Sequence, residues 1–113
     1  MKLRTAYVVT RDMDRAAQFY EGLLGAKPAF RDGDNWTQYA GEGGSFALSS
    51  VGEAAQTAQS TVAVFQVDDL DAGAAAIEAG GGKVLERRDM GDHGTTLSFE
   101  DPDGNVAQLF AKN

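Results

Sequence analysis

No cysteine occurs among the 113 residues, which excludes disulfides, thiolate metal sites and a cysteine nucleophile and fits a reducing compartment. A single histidine, His93, excludes a histidine-based metal cluster. No apolar run approaches the ~20 residues that a membrane-spanning helix needs. Met1-Lys2-Leu3-Arg4-Thr5 leads straight into a strand-like run rather than a leader, so a cytoplasmic protein is expected. Basic side chains are outnumbered 10 to 17, for a formal charge of −7. That balance repels polyanions, and no basic cluster offsets it, so nucleic acid is not an expected partner. An acidic surface keeps a protein dispersed and can also attract a cationic small molecule. Nucleophile elbows, phosphate-binding glycine loops and zinc-protease motifs are also missing. Gly41-Glu42-Gly43-Gly44 and Gly80-Gly81-Gly82 read instead as a turn and a helix stop.

What is present suits one domain: 42% hydrophobic and 24% charged residues, in a length that buries roughly two-thirds of the unfolded chain's surface. The strongest internal signal is a repeat. Leu3 to Thr10 reads as a strand and ends at Arg11-Asp12-Met13-Asp14; half a chain later Thr61 to Val67 does the same and ends at Asp68-Asp69-Leu70-Asp71. Each signature opens a helix. Asp12 and Asp69 are N-cap residues, because a short carboxylate accepts from the backbone N–H groups left free at a helix start. Asp14 adds favourable charge to the first turn. Ala16, Phe19, Tyr20, Leu23 and Leu24 form a helical stripe that Gly25 can end in the left-handed conformation. The second helix has an alanine-rich body, Ala72 to Ala79.

Three strand candidates follow each helix: Lys27–Arg31, Trp36–Ala40 and Ser45–Ser49, then Lys83–Arg87, Thr95–Glu100 and Val106–Ala111. Asp101-Pro102-Asp103-Gly104-Asn105 is too short for a calcium loop and reads as a tight turn. The organisation is therefore two βαβββ modules, residues 1–50 and 61–113, joined by a linker over 51–60.

This order of motifs resembles the vicinal oxygen chelate superfamily, which includes glyoxalases, extradiol dioxygenases, fosfomycin resistance enzymes and bleomycin-binding proteins. The residues that carry it are the strand–Asp12-Met13-Asp14 helix start, Phe19-Tyr20 with Leu23-Leu24-Gly25, Phe65-Gln66-Val67-Asp68-Asp69-Leu70, and the closing Asp101-Pro102-Asp103-Gly104-Asn105. The resemblance implies an α+β fold in which two modules form a curved, eight-stranded open sheet around a cavity, helices outside. It also implies a homodimer with pockets formed or completed at the subunit contact.

Enzymes of that superfamily hold a divalent metal through side chains on the first and last strands of each module. Counting seven residues back from Asp12 and from Asp69 gives Thr5 and Val62; the last-strand positions are Ala47 and Gln108. Alanine and valine have no donor atoms, and a neutral hydroxyl is a poor ligand. Gln108 alone cannot hold a divalent cation. A slip of one residue would put Arg4 or Ala6, and Thr61 or Ala63, in the first-strand places, with no gain. Metal-dependent glyoxalase, dioxygenase or fosfomycin chemistry is therefore not expected, and no cofactor is implied.

Strand alternation assigns the faces. With Thr5 inward, so are Tyr7 and Val9, then Ala47 and Ser49, then Val62, Val64 and Gln66, with Gln108 and Phe110; Ala6, Val8, Phe46, Leu48, Phe65, Val67 and Leu109 go to the helix side. That mixed lining suits a small organic ligand. Trp36 is either packing or a stacking surface for a planar ring, Gln38 shares its face, and Tyr39 takes the other. His93 is either an exposed loop residue or a general base or ligand contact. The expectation is a metal-independent protein that sequesters an aromatic or cationic small molecule. Two alternatives remain: an isomerase or lyase, metal-free through Tyr7, His93 or Glu100 or with an atypical metal site, and a regulatory module with a vestigial cavity.

Overall fold

A computed structural model describes residues 3–54 and 62–113. The chain divides into two compact units, Met1–Gln59 and Ser60–Asn113. In the first, β1 (Thr5–Thr10) leads into α1 (Met13–Leu24), followed by β2 (Phe30–Asp32), β3 (Trp36–Gly41) and β4 (Gly44–Ser50). The second repeats the order with β5 (Val64–Gln66), α2 (Leu70–Ala79), β6 (Lys83–Asp89), β7 (Thr95–Glu100) and β8 (Val106–Ala111), with a single 3-10 turn, Gly91–His93, after β6. Each unit is a four-stranded mixed sheet with one helix, ordered β1-β4-β3-β2 and β5-β8-β7-β6. The expected α+β class and βαβββ order are found, and the hydrogen-bond ladders close as two sheets of four.

The helix starts follow from their caps. Asp12 is extended (φ −143°) and its carboxylate accepts from the Arg15 N–H; Asp69 (φ −138°) accepts from Asp71 and Ala72. Gly25 ends α1 at φ 63° with its N–H bonded to the Glu21 carbonyl, the left-handed cap that glycine adopts without strain. At the end of α2 the left-handed residue is Gly81, one place beyond the cap.

Five residues on one side of α1, Met13, Ala16, Ala17, Phe19 and Tyr20, are buried. The Tyr20 ring meets Phe19 edge-on at 5.0 Å and Phe46 of β4 at 4.9 Å. Tyr39 stacks on Phe46 and donates its hydroxyl to Glu21 at 2.9 Å; burial, reinforced by that bond, raises the Tyr39 pKa above the ordinary phenol range. In the second unit Leu70, Gly73 and Ile77 of α2 are buried together with Leu97, Phe99, Ala107 and Leu109 of the sheet. Gly73 lets α2 approach the sheet closely: a Cβ there would lie 2.5 Å from Leu109 Cδ1, so the buried Leu109 would have to shift.

Several expected boundaries move for physical reasons. The strand expected over Lys27–Arg31 begins at Phe30, because Pro28 has no N–H to donate to a ladder. The strand expected over Lys83–Arg87 runs on to Asp89, with an irregularity between Val84 and Glu86 that leaves Leu85 unpaired. The strand expected from Leu3 starts at Thr5, and the one expected over Thr61–Val67 is confined to Val64–Gln66, with Thr61 outside the described residues. Of the expected linker, 51–54 is turn and 55–60 lies outside the described residues. Ala6, expected against the helix, is exposed because α1 lies over β3 and β4 while β1 forms the sheet's edge. Among the described residues no helix is long and apolar enough to cross a membrane.

Candidate functional site

Register places the expected site residues of the first unit on one face. Tyr7 pairs with Ala47, which pairs with Gln38, which pairs with Phe30. The adjoining row is Val9, Ser49, Trp36 and Asp32, and the row on the other side is Thr5, Ser45 and Ala40. Directly paired residues share a face, so these rows turn away from α1 while Phe46, Leu48, Thr37 and Tyr39 turn toward it.

The rows carry a defined set of contacts. The rings of Tyr7 and Trp36 meet at 5.4 Å between centroids, tilted by 59°. Tyr7 remains 36% exposed and Trp36 is half-buried. Trp36 donates its indole N–H to Gln38 Oε1 at 3.1 Å. Ala47, a methyl group set between Tyr7 and Gln38, has no accessible surface, and neither has Ser49. Phe30, 52% exposed in the same row as Gln38, was not among the expected site residues. The polar Asp32–Asn35 turn carries the signal that finds it: a turn there pairs the residues before Asp32 with those after Trp36.

At the end of these rows an open hollow of about 560 Å³ is lined by Leu3, Arg4, Gln38, Ala40, Ser45 and glycines of the β3–β4 turn. A hollow of similar volume sits at the start of α1, but its carboxylates are already engaged. Asp12 caps the helix, and Asp14 and Asp34 both hold Arg31, whose pKa is raised chiefly by its hydrogen bond to Asp14.

In the second unit Val64, Gln108, Ser98 and Glu86 form one row, and Gln66, Phe110, Thr96 and Arg88 the next. Gln108 donates its Nε2–H to Ser98 Oγ at 3.0 Å. Val62 precedes β5 and is exposed, as is Val64. His93 is exposed in the 3-10 turn. The turn is held by the C-terminal residue: Asn113 donates to the Asp89 carboxylate at 3.0 Å and accepts from the Thr95 hydroxyl at 2.6 Å. Next to His93, Gly94 (φ 90°) has no room for a side chain, since a Cβ would lie 2.5 Å from the Phe110 ring. The structure thus gathers Thr5, Tyr7, Trp36, Gln38 and Ala47 on one sheet and Val64, Gln108 and Phe110 on the other, with His93 in the loop beyond.

The four positions matched to the superfamily's metal ligands do not fit a divalent ion. Thr5 Oγ1 shares a hydrogen bond with Ser45 Oγ at 3.1 Å. Ala47 and Val62 have no donor atom, which leaves the Gln108 amide as the only serviceable group. No cluster of three His, Cys, Asp or Glu that could hold a metal occurs among the described residues. The Asp101 carboxylate, buried at the closing turn, accepts from the backbone N–H groups of Asp103 and Asn105 and from Asn105 Nδ2, each at 2.9 Å, as a turn requires.

The profile of the glyoxalase/bleomycin resistance protein/dioxygenase superfamily matches residues 2–109. Among solved structures, a glyoxalase/bleomycin resistance protein from Albidiferax ferrireducens T118 is similar with TM-score 0.78 at 23% identity, covering 96% of this chain and 97% of that one. A glyoxalase-related enzyme from Fulvimarina pelagi has TM-score 0.79 at 22% identity, with 99% and 88% covered. A lactoylglutathione lyase from Agrobacterium tumefaciens has TM-score 0.74 at 17% identity, with 96% and 91% covered. At these identities the likeness is one of fold. No curated protein matches the chain.

Proposed function

The chain belongs to the glyoxalase/bleomycin resistance protein/dioxygenase superfamily, and from that premise we propose that it is a small-molecule-binding protein that holds an aromatic ligand without a metal at the superfamily's usual positions. The observation that carries this reading is the accessible Tyr7–Trp36 ring pair with Gln38 beside it. Two aromatic faces supply a stacking surface and one amide supplies a directional contact, the combination typical of small-molecule sites. The set Thr5, Ala47, Val62 and Gln108, with one serviceable donor among four positions, argues against metal-assisted chemistry at that place in the fold. The reading includes sequestration as the mode of action and a homodimer as the working form.

Trp36 is the only tryptophan, so its emission reports on this face alone. Planar aromatic drugs should quench it saturably, and a chelator should not change the titration. Constant emission across a chemically diverse panel would overturn the proposal, and so would a stoichiometric metal found by elemental analysis whose removal abolishes binding.

A further inference from the structure

We infer that the indole N–H of Trp36 fixes which end of the Gln38 amide meets a ligand, and so selects planar aromatics that carry a carbonyl or carboxylate oxygen. This inference rests on the reading of the Tyr7–Trp36 face as a binding surface and adds a polarity to it. An indole nitrogen can only donate, whereas a side-chain amide has an oxygen that accepts and a nitrogen that donates twice. The 3.1 Å contact between Trp36 Nε1 and Gln38 therefore assigns the amide orientation by chemistry: Oε1 faces the indole. Nε2 is left with two N–H groups and makes no hydrogen bond to another described residue. Gln38 is half-buried, so those N–H groups can be reached.

The side chains around it add no competing acceptor. Gln38 lines the 560 Å³ hollow together with Arg4, a residue whose side chain can only donate. The other polar side chain of the hollow, Ser45, is engaged, since its hydroxyl donates to the Arg4 carbonyl at 3.0 Å and meets Thr5 Oγ1 at 3.1 Å. Asp32 lies in the opposite direction, paired with Trp36 and away from the hollow. A ring bearing a carboxylate is therefore oriented: its plane on Trp36 with the tilted Tyr7 ring at its edge, its oxygens toward Gln38, and its apolar edge toward Asp32. Trp36 does two things here, stacking on the ring and positioning Gln38.

The test uses calorimetry with two probes that share one ring system, 2-naphthoate and 2-naphthylmethylammonium, on the wild-type chain, Gln38→Leu and Trp36→Phe, each confirmed folded by circular dichroism. The wild type should bind the carboxylate about tenfold more tightly than the ammonium, the effect of one directional hydrogen bond. Gln38→Leu should remove that advantage by weakening the carboxylate alone. Trp36→Phe keeps a ring but frees the amide to turn, so the two affinities should come to within about threefold of each other. A merely structural role for Trp36 would weaken both probes alike and leave their ratio unchanged, which would overturn the inference. So would an ammonium that binds the wild type as tightly as the carboxylate, although that result would leave the underlying reading standing. Binding of neither probe also overturns the inference, and the tryptophan-quenching panel then decides the underlying reading separately.

Discussion

Arg31 reaches back 17 residues to meet Asp14 at 2.6 Å, tying β2 to the first turn of α1, and Arg87 meets Asp71 at 2.7 Å in the same way between β6 and α2. The repeat therefore extends from the motif itself to the ion pair that its second aspartate makes. The aspartate side chains are 85% and 86% exposed, so water screens both pairs. Asp14→Asn or Asp71→Asn should each cost less than about 1 kcal/mol in urea unfolding, and the difference from wild type should shrink as salt is added.

Two helical glycines should respond to alanine with opposite signs. Gly22 in α1 has open space around its Cβ position, so Gly22→Ala should stabilise by about 0.5–1 kcal/mol through reduced backbone freedom in the unfolded chain. Gly73 in α2 abuts the fully buried Leu109. The same propensity gain is then outweighed by overpacking, and Gly73→Ala should destabilise by about 1–2 kcal/mol net. Chemical denaturation of both variants checks the pair.

Asp101 is 4% exposed and holds three donors of the β7–β8 turn. Asp101→Ala strands two backbone N–H groups and should cost about 2–3 kcal/mol. Asp101→Asn should fall between wild type and alanine, because its carbonyl oxygen can still accept from the backbone while its NH₂ faces the Asn105 amide. Melting temperatures of the three proteins give the order directly.

Tyr39 should make stability fall in alkali. Its phenol has a raised pKa in the folded protein, first from burial and then from the bond to Glu21. The proton is thus held more tightly folded than unfolded. The contribution is complete below the unfolded phenol pKa of about 10 and is lost as pH rises from there toward the raised folded value. Tyr39→Phe should cost on the order of 1 kcal/mol near neutral pH and should flatten the decline above about pH 10. Urea midpoints measured across that range check both parts.

Much of this architecture was legible because its determinants are local. Asp12 and Asp69 cap helices through their own side chains, Gly25 takes the left-handed cap, and Asp101 to Asn105 turns on bonds within five residues. Alternation also set Thr5 with Tyr7, and Trp36 with Gln38, along their own strands, and the pairing brings these residues and Ala47 to one face. What remained hidden depends on register and neighbours. Phe30 joins the row of Gln38 only once β2 is paired from Asp32 backward. Ala6 keeps its exposure because α1 lies over the other strands, and the absence of accessible surface at Ala47 depends on what surrounds it. The Trp36–Gln38 bond is a matter of side-chain rotamers two residues apart on one strand, which no pattern of residue types encodes.

The contact between Gln108 and Ser98 differs from its counterpart on the first sheet in one chemical respect. A hydroxyl can reverse its role, so Gln108 can turn its amide over and keep the partner, whereas Gln38 cannot without losing the indole. One chain thus carries a rigid amide and a reversible one. Exchanging Trp36 for a hydroxyl-bearing residue would release the Gln38 amide only by removing the ring beside Tyr7, so orientation and stacking surface would be lost together.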